Sequence, residues 1–128
     1  VEPGDRIGAK AIHDMAFFEP AYHAYKDNFK KFYDTGVTVL AGTDMVLRDA
    51  PAFPLNRELA LMVEYGITPV QAIQTATGNP AKVLGLEHEI GMLEAGCKAD
   101  MIVVEGNAAE DIFALNRLKH VYRDGVEV

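Results

Sequence analysis

The chain has 128 residues, 49% of them apolar and 24% charged, which is the composition of an ordinary globular protein rather than a disordered or fibrous one. Its 12 Lys and Arg against 19 Asp and Glu give a formal charge of -7, which argues against nucleic-acid or anionic-membrane binding, since both need basic patches. The single cysteine, Cys97, excludes an internal disulfide framework and a cysteine-based zinc knuckle.

A chain of this length can remove about two-thirds of its unfolded surface from water, enough for a core without covalent staples. No run approaches the roughly 20 apolar residues of a membrane span, and no secretory signal pattern is present. Together with the lone cysteine, this gives a cytoplasmic protein as the expectation. The chain begins at Val1 rather than Met, which reads as an expression boundary, a processing site or the edge of a fragment.

In chain order, the first twenty residues mix Gly, Pro and charge and read as a loop-rich lead-in. From Ala21 the pattern turns helical, with Tyr22, Tyr25, Phe29 and Phe32 at spacings of three and four and a stop at Gly36. Val37-Thr38-Val39-Leu40-Ala41 is a β-branched run without polar alternation, as expected for a parallel strand covered on both faces. Gly42-Thr43-Asp44 ends it, and Met45 to Pro54, with two prolines, reads as a loop.

A second helix is expected with Leu55, Leu59 and Met62 as its apolar stripe and Gly66 as its end. Thr68-Pro69-Val70-Gln71 combines a capping hydroxyl, a proline at the first helical position and a capping-box glutamine, so another helix starts here, with Val70, Ile73 and Thr77 on one face. Asn79-Pro80 repeats the start signal for a short helix from Pro80 to Leu84. Beyond Gly85 the texture becomes short and glycine-punctuated, with a strand at Met101 to Val104 and a hairpin in which Asp124-Gly125 joins Val121-Tyr122-Arg123 to Val126-Glu127-Val128. The same stretch carries most of the acidic surplus, which reads as a solvated face.

Taken alone, an aspartate after a strand is most simply a turn former that hydrogen-bonds its own backbone. Position opens a second reading of Asp44, because in an α/β barrel the residues at the C-terminal ends of strands face the active site. Arg48, four residues on, could hold a substrate carboxylate with both ends of its guanidinium, or be an ordinary exposed loop arginine. His13, His23, His88 and His120 are too far apart in sequence to form a local motif, and no His-x-His occurs.

The order of motifs is recognisable. Thr38 to Asp44, Gly66-Ile67-Thr68-Pro69 with Ala72 and Thr75, Asn79-Pro80-Ala81 and Leu84-Gly85-Leu86 resemble the C-terminal part of the metal-dependent amidohydrolase superfamily. Ile90 to Gly96, Ala99-Asp100 leading to Met101-Ile102-Val103-Val104, Gly106-Asn107, Asp111-Ile112 and Val121 to Gly125 extend the resemblance, nearest to its imidazolonepropionase-related and dipeptidase-like members. Cys97 stands where that family often has Lys.

The resemblance implies an α/β fold: the last helix-strand-helix part of a metal-dependent hydrolase TIM (β/α)8 barrel over residues 1–84, and the C-terminal piece of a small β-sandwich domain over 85–128. It implies hydrolysis of an amide or other C–N bond by a water activated at a divalent metal, zinc as one or two ions, with Asp44 as both metal ligand and proton shuttle; Arg48 as a substrate contact rests on its charge and its place four residues on, not on the resemblance. The substrate would be a small amide, dipeptide or cyclic amide, with neither nucleic acid nor membrane as partner. A complete barrel needs roughly 250 residues. This chain alone is therefore expected to hold no metal and to be inactive, its partner being a missing N-terminal barrel segment. The other readings are a homo-oligomeric, catalytically silent interaction domain and one chain of a split enzyme.

Overall fold

The computed structural model describes residue 20, residues 23–43 and residues 55–128. The lead-in, Tyr22 and the loop from Met45 to Pro54 lie outside the described residues, as do His13, Asp44 and Arg48. Helix α1 runs over 23–34, followed by α2 (Leu55–Glu64), α3 (Pro69–Ala76) and α4 (Gly78–Val83). Strand β1 (Met101–Val104), a 3-10 helix (Ile112–Asn116), β2 (Leu118–Arg123) and β3 (Val126–Glu127) complete the order.

Helix α3 starts as its sequence dictates. The Gln71 N–H donates to Thr68 Oγ1 at 3.2 Å while Thr68 N–H donates to Gln71 Oε1 at 2.8 Å, so two donors that a helix start would leave unpaired satisfy each other's side chains. The face it buries differs from the expected one. Ala72 and Thr75 are fully buried and Ile73 half-buried, whereas Val70 and Thr77 are exposed. The small residues decide this, because they let α3 lie close to α2, where the Thr75 hydroxyl reaches Met62 Sδ at 3.4 Å.

The core cluster is Leu59 and Met62 of α2, Ile67, Ala72 of α3 and Ile112 of the 3-10 helix. Phe29 and Tyr33 of α1 pack against it, and Phe29 meets Tyr65 edge-on with ring centroids 6.0 Å apart. The expected aromatic face of α1 is thus rotated: Phe29 is inward, but Tyr25 and Phe32 are 73% and 65% exposed. The stripe on α2 holds at Leu59 and Met62, while Leu55 is largely exposed.

The run over 37–41 is extended, and among the described residues it joins no ladder, so the parallel pairing expected of it is not made within them. The reason is physical: a strand needs neighbouring strands for its N–H and C=O groups, and the one sheet described here is the three-stranded antiparallel β1-β2-β3. Val37 and Leu40 are exposed accordingly, while Val39 and Ala41 pack on the core cluster.

In that sheet Met101 pairs with Tyr122 and Ile102 with Val121, and an irregularity between Val103 and Val104 brings Leu118 opposite Val104. Asp124 and Gly125 have φ of 51° and 79°, the two positive values a type I′ hairpin turn demands. The turn is tied to the head of β1 by Asp124 N–H donating to Asp100 Oδ1 at 2.8 Å and Gly125 N–H to Ala99 O at 3.0 Å. The 3-10 helix, which the apolar pattern did not announce, is capped by Asp111 Oδ1 accepting from Phe113 N–H at 3.0 Å. Its far end meets the start of α2 through a hydrogen bond from the Asn56 amide to Asn116 Oδ1. No described helix is long and apolar enough to cross a membrane.

Gly91 packs the segment after α4 against that helix. With φ +82°, a Cβ there would lie 2.7 Å from Thr77 O and 2.8 Å from Ala81 Cβ, both on rigid helical structure. Gly91→Ala is expected to cost about 3 kcal/mol, combining left-handed backbone strain with overpacking. Gly85→Ala, at φ +71° with open space around it, should cost about 1 kcal/mol from strain alone. Denaturant unfolding of the two variants measures the difference.

Candidate functional site

The extended segment 37–43 immediately precedes Asp44 in the sequence and has to be held by contacts other than a strand ladder. Three hydrogen bonds hold it. Ala41 N–H donates to Thr75 O at 2.9 Å, capturing a carbonyl that the C-terminal end of α3 would otherwise leave unpaired. The Asn79 side-chain amide donates to Val39 O at 2.9 Å from within α4. Gly42 N–H donates to Glu58 Oε1 at 2.9 Å, tying the last turn before Asp44 to the first turn of α2.

Two of these anchors were read from sequence as helix formers only. Asn79 does not start α4: the N-cap is Thr77, which makes no side-chain cap bond, and the Asn79 amide is spent across the fold on Val39. Thr75 is fully buried, its hydroxyl donating to Ala72 O at 2.6 Å, while its carbonyl, in the last turn of α3, accepts from Ala41 N–H. Glu58 was missed altogether. The available signal was its register, for it lies on the same helical face as Leu55 and Met62, where a carboxylate has to be compensated.

Asp44 and Arg48, the residues singled out from sequence, lie outside the described residues, and so does the loop between them. Among the described residues no group of three or more His, Cys, Asp or Glu side chains could hold a metal ion, so these residues do not by themselves fit a metal centre. The described histidines are not assembled around segment 37–43 in such a group. His120 is committed to a cross-strand contact, its Nδ1 2.5 Å from Glu127 Oε1, and His88 is exposed. Two open grooves among the described residues also lie elsewhere. One, of about 550 Å³, runs along α1 beside Tyr25, Phe29 and Phe32; the other, of about 280 Å³, lies between Met92 and Met101 beside Cys97.

With this geometry in hand, comparison with known proteins is informative. The model of the Amidohydrolase family matches residues 25–128. The ochratoxinase of Aspergillus niger is 37% identical over 111 residues, covering 80% of this chain and 22% of that protein. The imidazolonepropionase of Brevibacillus brevis is 36% identical over 99 residues, covering 76% of this chain and 22% of that protein. A Xaa-Pro dipeptidase crystallised with methionine in its active site superposes with a TM-score of 0.71 at 38% identity, over 80% of this chain and 25% of that one. An amidohydrolase from Thermotoga maritima gives a TM-score of 0.61 at 33% identity, over 80% of this chain and 26% of that one. The chain thus spans about a fifth of the curated relatives it matches. Because the family model takes in every element from α1 to β3, including the segment that ends at Asp44, the chain belongs to the amidohydrolase family.

Proposed function

We propose that this chain is the C-terminal segment of a metal-dependent hydrolase that cleaves an amide or other C–N bond. Residues 1–84 would belong to its (β/α)8 barrel and residues 85–128 to its small β domain. One observation carries the reading: the extended segment 37–43, just before Asp44, is held by hydrogen bonds to three different helices, yet it joins no strand ladder among the described residues. A segment so fixed and so unpaired fits one strand of a sheet whose other strands lie outside this chain. The family match over 25–128 and the small share of each relative covered support the same conclusion.

In this reading Asp44 contributes one carboxylate to a metal site whose other ligands come from the remainder of the protein. A divalent metal, zinc by expectation, supplies acidification of a water near neutral pH. Asp44 accepts the proton of the attacking water and returns it to the leaving nitrogen, which turns a poor amide leaving group into a neutral amine. Arg48 has the geometry-independent qualification of a fixed positive charge with a planar fork, suited to the carboxylate of a dipeptide-like substrate. The relatives include an ochratoxinase, an imidazolonepropionase and a Xaa-Pro dipeptidase, which supports a small amide or cyclic amide as the substrate class.

Three experiments test this. The 128-residue chain expressed alone should contain far less than one equivalent of zinc by elemental analysis and show no hydrolysis of dipeptides or cyclic amides; one zinc per chain with turnover would overturn the segment reading. In the full protein that carries this chain, Asp44→Asn should lower kcat on such a substrate by about 10²- to 10⁴-fold, with reduced metal content. Arg48→Met should raise KM about ten- to a hundredfold for substrates bearing a free carboxylate, through the loss of a charge-assisted contact, and leave kcat and amidated substrates nearly unchanged.

A further inference from the structure

We propose that Asp124–Gly125 is a site of spontaneous backbone isomerisation, restrained by the Asp100 carboxylate that holds its hairpin turn shut. The inference is independent of the reading of Asp44. The sequence holds one Asp-Gly step and no Asn-Gly step. Glycine after an aspartate presents a backbone nitrogen that no Cβ of its own shields from the preceding carboxyl. Both residues are exposed, and among the described residues the Asp124 carboxylate has no hydrogen-bond or ion-pair partner. In the reaction the Gly125 nitrogen attacks Asp124 Cγ: the N–Cγ bond forms, the Cγ–OH bond of the protonated carboxyl breaks, and the hydroxyl leaves as water with the amide proton. Water then opens the five-membered imide. Cleavage of the new N–Cγ bond restores aspartate, while cleavage between the nitrogen and the original Asp124 carbonyl carbon leaves isoaspartate, its main chain running through the side-chain carboxyl.

The folded turn opposes this chemistry. Asp124 and Gly125 have φ of 51° and 79°, and type I′ geometry, with ψ of its first central residue about +30°, points the next nitrogen away from Cβ. The Gly125 N–H is also engaged, donating to Ala99 O at 3.0 Å, while Asp124 N–H donates to Asp100 Oδ1 at 2.8 Å. Cyclisation therefore needs the hairpin to open. Little resists that opening from the far side, because β3 is two residues long and both are exposed, with Val128 N–H donating to Val121 O just beyond it. Short, exposed edge elements lie at the low end of local stability. Of the two ties from the turn to the head of β1, the one to Asp100 ends on a carboxylate, and it acts on the residue that cyclises. Isoaspartate adds a methylene to the main chain of a two-residue turn. The modified chain then no longer closes the pairing of Arg123 with Val126, and the last strand is released.

The test incubates the folded full protein that carries this chain beside a free peptide of sequence Leu118–Val128, and counts isoaspartate at 124 by digestion, chromatographic separation and mass spectrometry. Isoaspartate should accumulate at 124 in both. The folded protein should lag the peptide by the factor by which its Gly125 amide is protected from hydrogen exchange, within about threefold, because both processes wait for one opening. Asp100→Ala should speed isomerisation in the folded protein about tenfold, the effect of losing a hydrogen bond to a charged acceptor. Asp100→Asn keeps an oxygen acceptor for the Asp124 N–H and should stay within about threefold of the parent. A peptide without isoaspartate at 124 overturns the site, and a folded protein that isomerises as fast as the peptide overturns the restraint. Asp100→Ala at the parental rate, or Asp100→Asn as fast as Asp100→Ala, removes Asp100 from the proposal. Should Asp100→Ala fail to fold, the parent and Asp100→Asn decide: isomerisation that tracks Gly125 exchange in both supports the restraint, and isomerisation that departs from it overturns it.

Discussion

The structure depends on how an extended segment without a ladder is held in place. Residues 37–43 need acceptors and donors for their backbone, and the fold supplies them from helices: a free carbonyl at the end of α3, an amide on α4 and a carboxylate on α2. Each helix is in turn placed by the core cluster, so the segment inherits its position from Leu59, Met62, Ile67 and Ala72. The bonds gather at Val39, Ala41 and Gly42, toward the end from which Asp44 follows. Val37 and Leu40 remain exposed.

That arrangement also accounts for the modest core. Thr75 is the largest fully buried side chain among the described residues, while Tyr25, Phe32, Leu84 and Leu93 are exposed. A chain with 49% apolar residues has enough of them for a larger interior than this. They are distributed instead over faces that no described residue covers. The surface ion pairs do little to offset this. Lys26 to Glu64 at 2.9 Å and Lys30 to Asp34 at 2.6 Å are both well exposed, and such pairs contribute about 0–1 kcal/mol.

Local chemistry was legible in the sequence wherever a residue type has one strong backbone consequence. Thr68 to Gln71 specified a capping box and Asp124-Gly125 a type I′ turn, and both are present because the relevant contacts span three residues or fewer. What needed partners distant in sequence was less legible. The pattern over Val37 to Ala41 is that of a strand, but pairing is a property of neighbours. The face of α3 was misjudged because Val70 is more apolar than Ala72, yet the close approach of α2 rewards small size rather than hydropathy. The 3-10 helix at Ile112–Asn116 is too short for any periodicity to register.

The candidate site shows the same division. Asp44 stood out because a family pattern surrounds it, whereas Glu58 sits fourteen positions later inside what looks like an amphipathic helix and is related to Gly42 only by folding. Asn79 was read through the commonest role of its type, helix initiation, and its actual partner is forty residues away. Charge placed on an apolar stripe is the sequence feature that would have flagged Glu58. A carboxylate at such a position must be compensated by a donor from elsewhere in the chain, and the donor it finds is the Gly42 backbone of the extended segment. The residues that hold this segment in place are thus written into the helices around it, as polar exceptions to otherwise apolar faces.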